Sequence, residues 1–100
     1  MKIIPLTQGL ITVVDDADYE ELSKFKWCAA KSGGGKWYAK RGVRRNGKVE
    51  NVYMHREILN CRNGYEVDHD NGWSLDNRRG NLKEVTKAEN LKNRKWEKKN

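Results

Sequence analysis

The apolar residues of this 100-residue chain come a few at a time and are soon cut off by glycine, asparagine or charge. Ile3-Ile4-Pro5-Leu6 and Leu10-Ile11-Thr12-Val13-Val14 flank the turn pair Gln8-Gly9, and Trp27-Cys28-Ala29-Ala30 runs on into Gly33-Gly34-Gly35. Stretches of this length suit small strands and short helices, which must share one core to be stable. None approaches the ~18 residues needed to span a bilayer. The opening Met1-Lys2-Ile3-Ile4-Pro5 lacks a signal-peptide apolar stretch, so the chain is expected to be soluble, away from membranes, and to stay in the cytoplasm where it is made. Hydrophobic residues are only 36%, but four Trp, four Tyr and one Phe supply bulky core material. That content points to a folded domain rather than a disordered basic tail. Cys28 and Cys61 stand alone, which excludes a disulfide-rich scaffold and a four-cysteine zinc site.

The formal net charge of +7 is unevenly placed. Residues 26–48 hold eight basic residues and no acid: Lys26, Lys31, Lys36, Lys40, Arg41, Arg44, Arg45 and Lys48. Trp27, Trp37 and Tyr38 are interleaved with them. Such a segment is a footprint for a polyanion, although a solvated basic face has the same composition. Charge alone suggests a nucleic acid without deciding the matter. Lys36, Lys40, Arg41, Arg44, Arg45, Arg78 and Arg79 are the candidate phosphate contacts.

The pattern along the chain predicts an α+β fold. Strands are expected at 3–6 and 10–14, then a helix through Tyr19, Leu22 and Phe25 with Asp15, Asp16 and Asp18 in its first turn, where the helix dipole favours acids. Strands at 27–31 and 36–44 follow, and Asn46-Gly47 is a hairpin signal leading into 49–54. Together these predict a three-stranded antiparallel sheet with one helix packed on it. The residue pattern along 36–44 does not separate its two faces. A short helix at 54–60 closes this basic lobe, residues 1–60. Residues 61–100 then read as a strand at 65–68, a polar loop at 70–81, a strand at 82–85, and a helix from Lys87 to about Lys98. Thr86 and Glu89 form a capping box at the start of that helix. The two lobes are expected to make one compact domain.

The chemically informative residues are Val67-Asp68-His69-Asp70-Asn71-Gly72, then Leu75-Asp76-Asn77-Arg78-Arg79-Gly80-Asn81-Leu82, then Thr86-Lys87-Ala88-Glu89-Asn90. Asn81 follows His69 by 12 residues, and Asn90 follows Asn81 by 9. Over residues 65–95 this resembles the HNH nucleases, whose fold is two strands and a helix around a metal (the ββα-metal unit), in the subclass with Asn in place of the last His. Residues Ile4-Pro5-Leu6-Thr7-Gln8-Gly9, Val14-Asp15-Asp16, Trp27 and Met54-His55-Arg56 resemble the leading region of phage and bacterial HNH proteins of homing-endonuclease type. That region is similar in plan to the three-stranded DNA-binding domains of plant transcription factors. The resemblance implies a metal-dependent endonuclease that nicks or cuts double-stranded DNA in a bacterial or phage-infected cell. It also implies that Asn81 fixes the loop and orients the His69 ring.

The residue types fit that chemistry independently. Phosphodiester hydrolysis needs a base for the attacking water and a cation against the charge that builds on the phosphate. An ordinary imidazole pKa near 6.5 leaves His69 largely neutral at pH 7. Asp68 and Asn90 offer hard oxygen ligands, which with water and phosphate suit Mg²⁺ or Mn²⁺ rather than Zn²⁺. No structural zinc is expected, because Cys28, His55, Cys61 and His69 lack the spacing. Lys87, at a helix start, is a candidate to contact the scissile phosphate. Adjacent strand residues point to opposite faces, so Asp68 and His69 can share a site only if the strand ends or bulges at His69. The rival reading is a non-catalytic DNA-binding protein that keeps the fold. Either protein could be a monomer or a homodimer.

Overall fold

The computed structural model describes residues 1–89, which form a mixed α+β fold. β1 (Lys2–Pro5) and β2 (Ile11–Val14) pair antiparallel, with Ile4 opposite Thr12. Gln8 and Gly9, both at positive φ, turn the chain between them. α1 spans Asp16–Leu22 and lies on β1. It stops short of the predicted Phe25 because the Trp27 indole Nε1 donates to the Leu22 carbonyl at 2.7 Å, taking up one of the acceptors freed at the helix end.

β3 (Cys28–Lys31), β4 (Trp37–Arg45) and β5 (Lys48–Tyr53) form an antiparallel sheet in that order. Asn46 and Gly47 join β4 to β5 with φ of 51° and 75°, the backbone that a two-residue I′ hairpin demands. α2 (Met54–Leu59) follows directly and ends at Asn60, whose left-handed φ of 50° breaks the helix. β6 (Tyr65–His69) and β7 (Leu82–Thr86) pair antiparallel, with His69 opposite Leu82 and Tyr65 opposite Thr86. A 3-10 turn at Arg79–Asn81 leads into β7. Helical backbone resumes at Lys87, with the Glu89 N–H donating to Thr86 Oγ1 at 3.2 Å as a capping box requires.

The described chain therefore holds three small sheets instead of a single three-stranded one. The helix against β4 and β5 is α2, which also touches β6 and β7. Ile4, Val14, Leu22, Trp27, Ala39, Met54, Ile58 and Leu82 make a single buried cluster. Seven of these eight precede residue 60, and Leu82, with the partly buried Val67, joins them from the other side of it.

Strand register separates the basic residues that sequence pattern alone could not. Tyr38, Lys40, Gly42 and Arg44 share one face of β4 with Tyr53, Asn51 and Val49 of β5, because directly opposed residues point the same way. The alternate residues Ala39 and Arg41 take the core side. There Arg41 ion-pairs with Glu57 at 2.8 Å and its guanidinium stacks 3.8 Å from the Phe25 ring centroid.

Trp27 is 2% exposed and donates its indole N–H inside this cluster. Trp27→Ala should lower unfolding free energy by about 3–5 kcal/mol in urea titrations. A loss below about 1 kcal/mol, the size of an ordinary substitution, would contradict its central place.

Candidate active site

β6 carries Tyr65, Val67 and His69 on one face and Glu66 and Asp68 on the other. The register runs unbroken through Asp68 opposite Lys83 and His69 opposite Leu82, so no bulge separates them. The strand ends at His69, and their side chains leave the chain terminus of the strand on its two sides. Both residues are half-buried. Among the described residues, no side chain hydrogen-bonds or ion-pairs with the Asp68 carboxylate.

The His69 ring sits among aromatic neighbours. Its centroid lies 5.3 Å from that of His55 and 6.2 Å from that of Tyr38. Nε2 is 3.1 Å from Asn77 Oδ1. Burial is the main cause pushing the His69 pKa below the usual imidazole value, and the charge of Lys36 adds to it. The Asn77 bond and the charges of Asp68 and Asp76 pull the other way without cancelling the shift. The imidazole is thus kept neutral at pH 7.

The polar segment 70–81 is a loop, as its composition predicts, but its middle is buried while its flanks stay exposed. Ser74, Leu75, Asp76 and Asn77 are all buried. Asn81 works as a clasp. Its Oδ1 accepts the Asn71 N–H at 2.9 Å, and its Nδ2 donates to the Asp76 carbonyl at 2.9 Å. Asp70 N–H donates to the Asn81 carbonyl at 2.8 Å, continuing the ladder past His69. Asn81 therefore ties the loop together. The ring contact expected of it is made by Asn77 instead, because the clasp already occupies both ends of the Asn81 amide.

The segment is also stitched to the start of the chain. Val13 forms a parallel bridge with Asp76, through Val13 N–H to the Leu75 carbonyl at 3.0 Å and Asn77 N–H to the Val13 carbonyl at 2.8 Å. Ser74 Oγ donates to the Trp37 carbonyl of β4. The Arg78 guanidinium makes two bonds to the Asp76 carboxylate, at 2.8 and 2.7 Å, and holds that carboxyl below its usual pKa. Arg79 grips Asp18 at 2.9 Å through two nitrogens, and its N–H donates to Asp15 at 2.8 Å. Two of the three acids assigned to the α1 dipole thus also anchor the loop.

These contacts sort the predicted phosphate-binding residues. The guanidinium groups of Arg41, Arg78 and Arg79 are committed to Glu57, Asp76 and Asp18. Arg45 lies 4.0 Å from Glu50, and Lys40 Nζ donates to Asn51 at 3.3 Å on the outer sheet face. Lys36 and Arg44 are exposed. Lys87 is exposed too, but Thr86 pairs with Tyr65, four register steps from His69. At about 3.4 Å per residue, that places the start of the Lys87 helix roughly 14 Å along the hairpin from the imidazole, not beside it. Asn90 lies outside the described residues. Among those residues no three His, Cys, Asp or Glu side chains converge on one point. A hard divalent ion that keeps most of its waters needs only one or two protein oxygens, and the unpartnered Asp68 carboxylate meets that requirement.

Sequence reasoning gave no role to three residues that build the site: Thr12, and Asp76 and Asn77 inside the informative stretch, each fully buried. The available signals were a threonine enclosed by Ile11 and Val13, and a leucine, Leu75, lodged in an otherwise polar loop. His55, beside the His69 ring, is enclosed too. Its Nδ1 is buried with no hydrogen-bond partner among the described residues, and burial, followed by the neighbouring His69 and Arg56, pushes its pKa down to about 3.

A lowered histidine pKa means the unfolded chain takes the proton first, so acid favours unfolding. The contribution of His55 is complete above about pH 6.5 and is lost as pH falls from there towards 3. Urea titrations at pH 7 and pH 4.5 should show a smaller acid loss in His55→Phe than in the wild type. Equal losses would remove His55 from the account. Searches of family models, curated proteins and solved structures give no match to this chain, so its function must be argued from the residues just described.

Proposed function

We propose that the protein is a metal-dependent DNA endonuclease in which the end of β6 is the hydrolytic centre and the outer face of the β3-β4-β5 sheet holds the duplex. The observation that carries this is the pairing at one strand end of a neutral, hydrogen-bonded imidazole with a carboxylate free of ion pairs. In the HNH pattern of the sequence, with its ββα-metal plan, those two positions are the base and the metal ligand.

Asp68, with the amide oxygen of Asn90, would hold Mg²⁺ or Mn²⁺. When bound, such an ion neutralises charge building on the phosphate and on the departing sugar oxygen. His69 accepts the proton of the attacking water as the new oxygen–phosphorus bond forms and the bond to the sugar oxygen breaks. Because Asp68 and His69 leave the strand on opposite sides, the phosphate would straddle the strand end. Asn81 and Asn77 keep that end rigid, which preserves the attack geometry.

Lys40 and Arg44 belong to the sheet side whose aromatic residue, Tyr38, lies next to His69, and Lys36, just before β4, is near enough for its charge to act on His69. A duplex on this face would therefore run into the site. Lys87 would serve a phosphate further along the hairpin, and Arg41, Arg78 and Arg79 would chiefly hold the fold.

Supercoiled plasmid incubated with Mg²⁺ should be nicked. A chelator should abolish the nicking, and His69→Ala should remove at least about a hundredfold of the rate, the usual scale of a positioned base. Nicking that ignores the chelator or survives His69→Ala would overturn the proposal. Retarded plasmid without nicking would favour the binding-only rival. Converting Lys36 and Arg44 together to Gln should lower the slope of log affinity against log salt by about two, since each lost phosphate contact removes roughly 0.9. The melting temperature should stay unchanged. An unchanged slope would remove this face from the duplex interface.

A further inference from the structure

A chain of buried hydrogen bonds reaches His69 from the first hairpin. Thr12 Oγ1 lies 2.6 Å from the Leu75 carbonyl, Asn77 Nδ2 lies 2.9 Å from Thr12 Oγ1, and His69 Nε2 lies 3.1 Å from Asn77 Oδ1. Thr12 and Asn77 are both 0% exposed, so water cannot substitute for a missing partner.

Proton counting fixes the direction of every link. Two oxygens 2.6 Å apart need a proton between them, and a carbonyl has none to give. The single hydroxyl proton of Thr12 is therefore spent on Leu75. Thr12 Oγ1 can then only accept from Asn77, which turns the amide nitrogen towards Thr12 and the amide oxygen towards the ring. An amide oxygen is only an acceptor, so the ring nitrogen facing it must carry the proton. In the neutral imidazole that leaves Nδ1 as the nitrogen with a free lone pair. Turning the Asn77 amide over would set its oxygen against a hydroxyl with no proton left, in a dry site.

From this we infer that Thr12 is a positioning residue that fixes the tautomer of His69 through Asn77, so that Nδ1 is the atom that accepts a proton. The inference rests on His69 acting as the base proposed above. It assigns a role to a residue 57 positions upstream, in a strand that touches neither DNA nor metal in that proposal.

The test compares the wild type with Thr12→Ser, which keeps the hydroxyl, and Thr12→Val, which keeps the shape without it. Imidazole nitrogen chemical shifts from ¹⁵N NMR read the His69 tautomer without DNA, and plasmid nicking reads the base. Wild type and Thr12→Ser should both carry the proton on Nε2. Thr12→Val should shift population to the Nδ1-protonated ring and lose about ten- to a hundredfold in nicking per folded molecule, the usual range for a partner that orients a reactive imidazole. Thr12→Ala takes the place of valine if that variant does not fold. A wild-type ring protonated on Nδ1 would overturn the inference by itself. So would a hydroxyl-free variant that keeps the Nε2 proton and the wild-type rate. A wild type that never nicks would refute the nuclease proposal alone, because the tautomer comparison is made without DNA.

Discussion

The structure depends on one constraint: the middle of a polar loop is buried against a small core, so its polar groups need partners inside the protein. Leaving a single such group unpaired costs about 1–3 kcal/mol, a large share of the stability a chain of this size can have. Residues 74–77 meet the requirement with partners from the first hairpin, far away in sequence, and with an arginine next along the chain. The Val13 backbone supplies a bridge on either side of Asp76, Thr12 supplies a hydroxyl, and Arg78 neutralises the buried carboxylate. The first hairpin is therefore a wall of the site as well as a piece of core.

That arrangement explains how a chain of this size can hold an imidazole still. His69 ends a two-stranded hairpin, and an isolated hairpin is marginal in water. Three supports compensate for this. Asn81 clasps the loop that follows, Asn77 fixes the ring through Nε2, and α2 packs against the hairpin from the side of the shared core. The ring neighbours Tyr38 and His55 come from the sheet and from α2. Every element that meets the imidazole is thus tied to the same core, and the basic sheet face begins beside it.

Much of this architecture was legible locally. The Asn46-Gly47 hairpin, the short helix after Tyr53 and the strand–loop–strand order of the last third each follow from residue types whose backbone preferences act within a few positions. Asp68, His69 and Asn81 stood out by spacing. The non-local pairings were not legible. Nothing near Arg41 or Arg79 in sequence distinguishes a guanidinium bound for Glu57 or Asp18 from one bound for phosphate, since that choice depends on which elements meet. The division of β4 into a core side and an outer side likewise came from register, because Arg41 on the core side is as polar as Lys40 on the outer one. Thr12 and Asn77 escaped for the same reason: a buried hydrogen bond between residues 65 apart leaves no periodic trace.

The central claim is that the end of β6 gathers a divalent ion and a water-activating imidazole at one phosphate. Paramagnetic Mn²⁺ added to the ¹⁵N-labelled protein in the presence of a short duplex tests it most directly. The account predicts that amide signals broaden first around Asp68 and His69, and that Asp68→Ala abolishes the effect. Broadening centred on the acids of α1, or spread without focus over the surface, would contradict it.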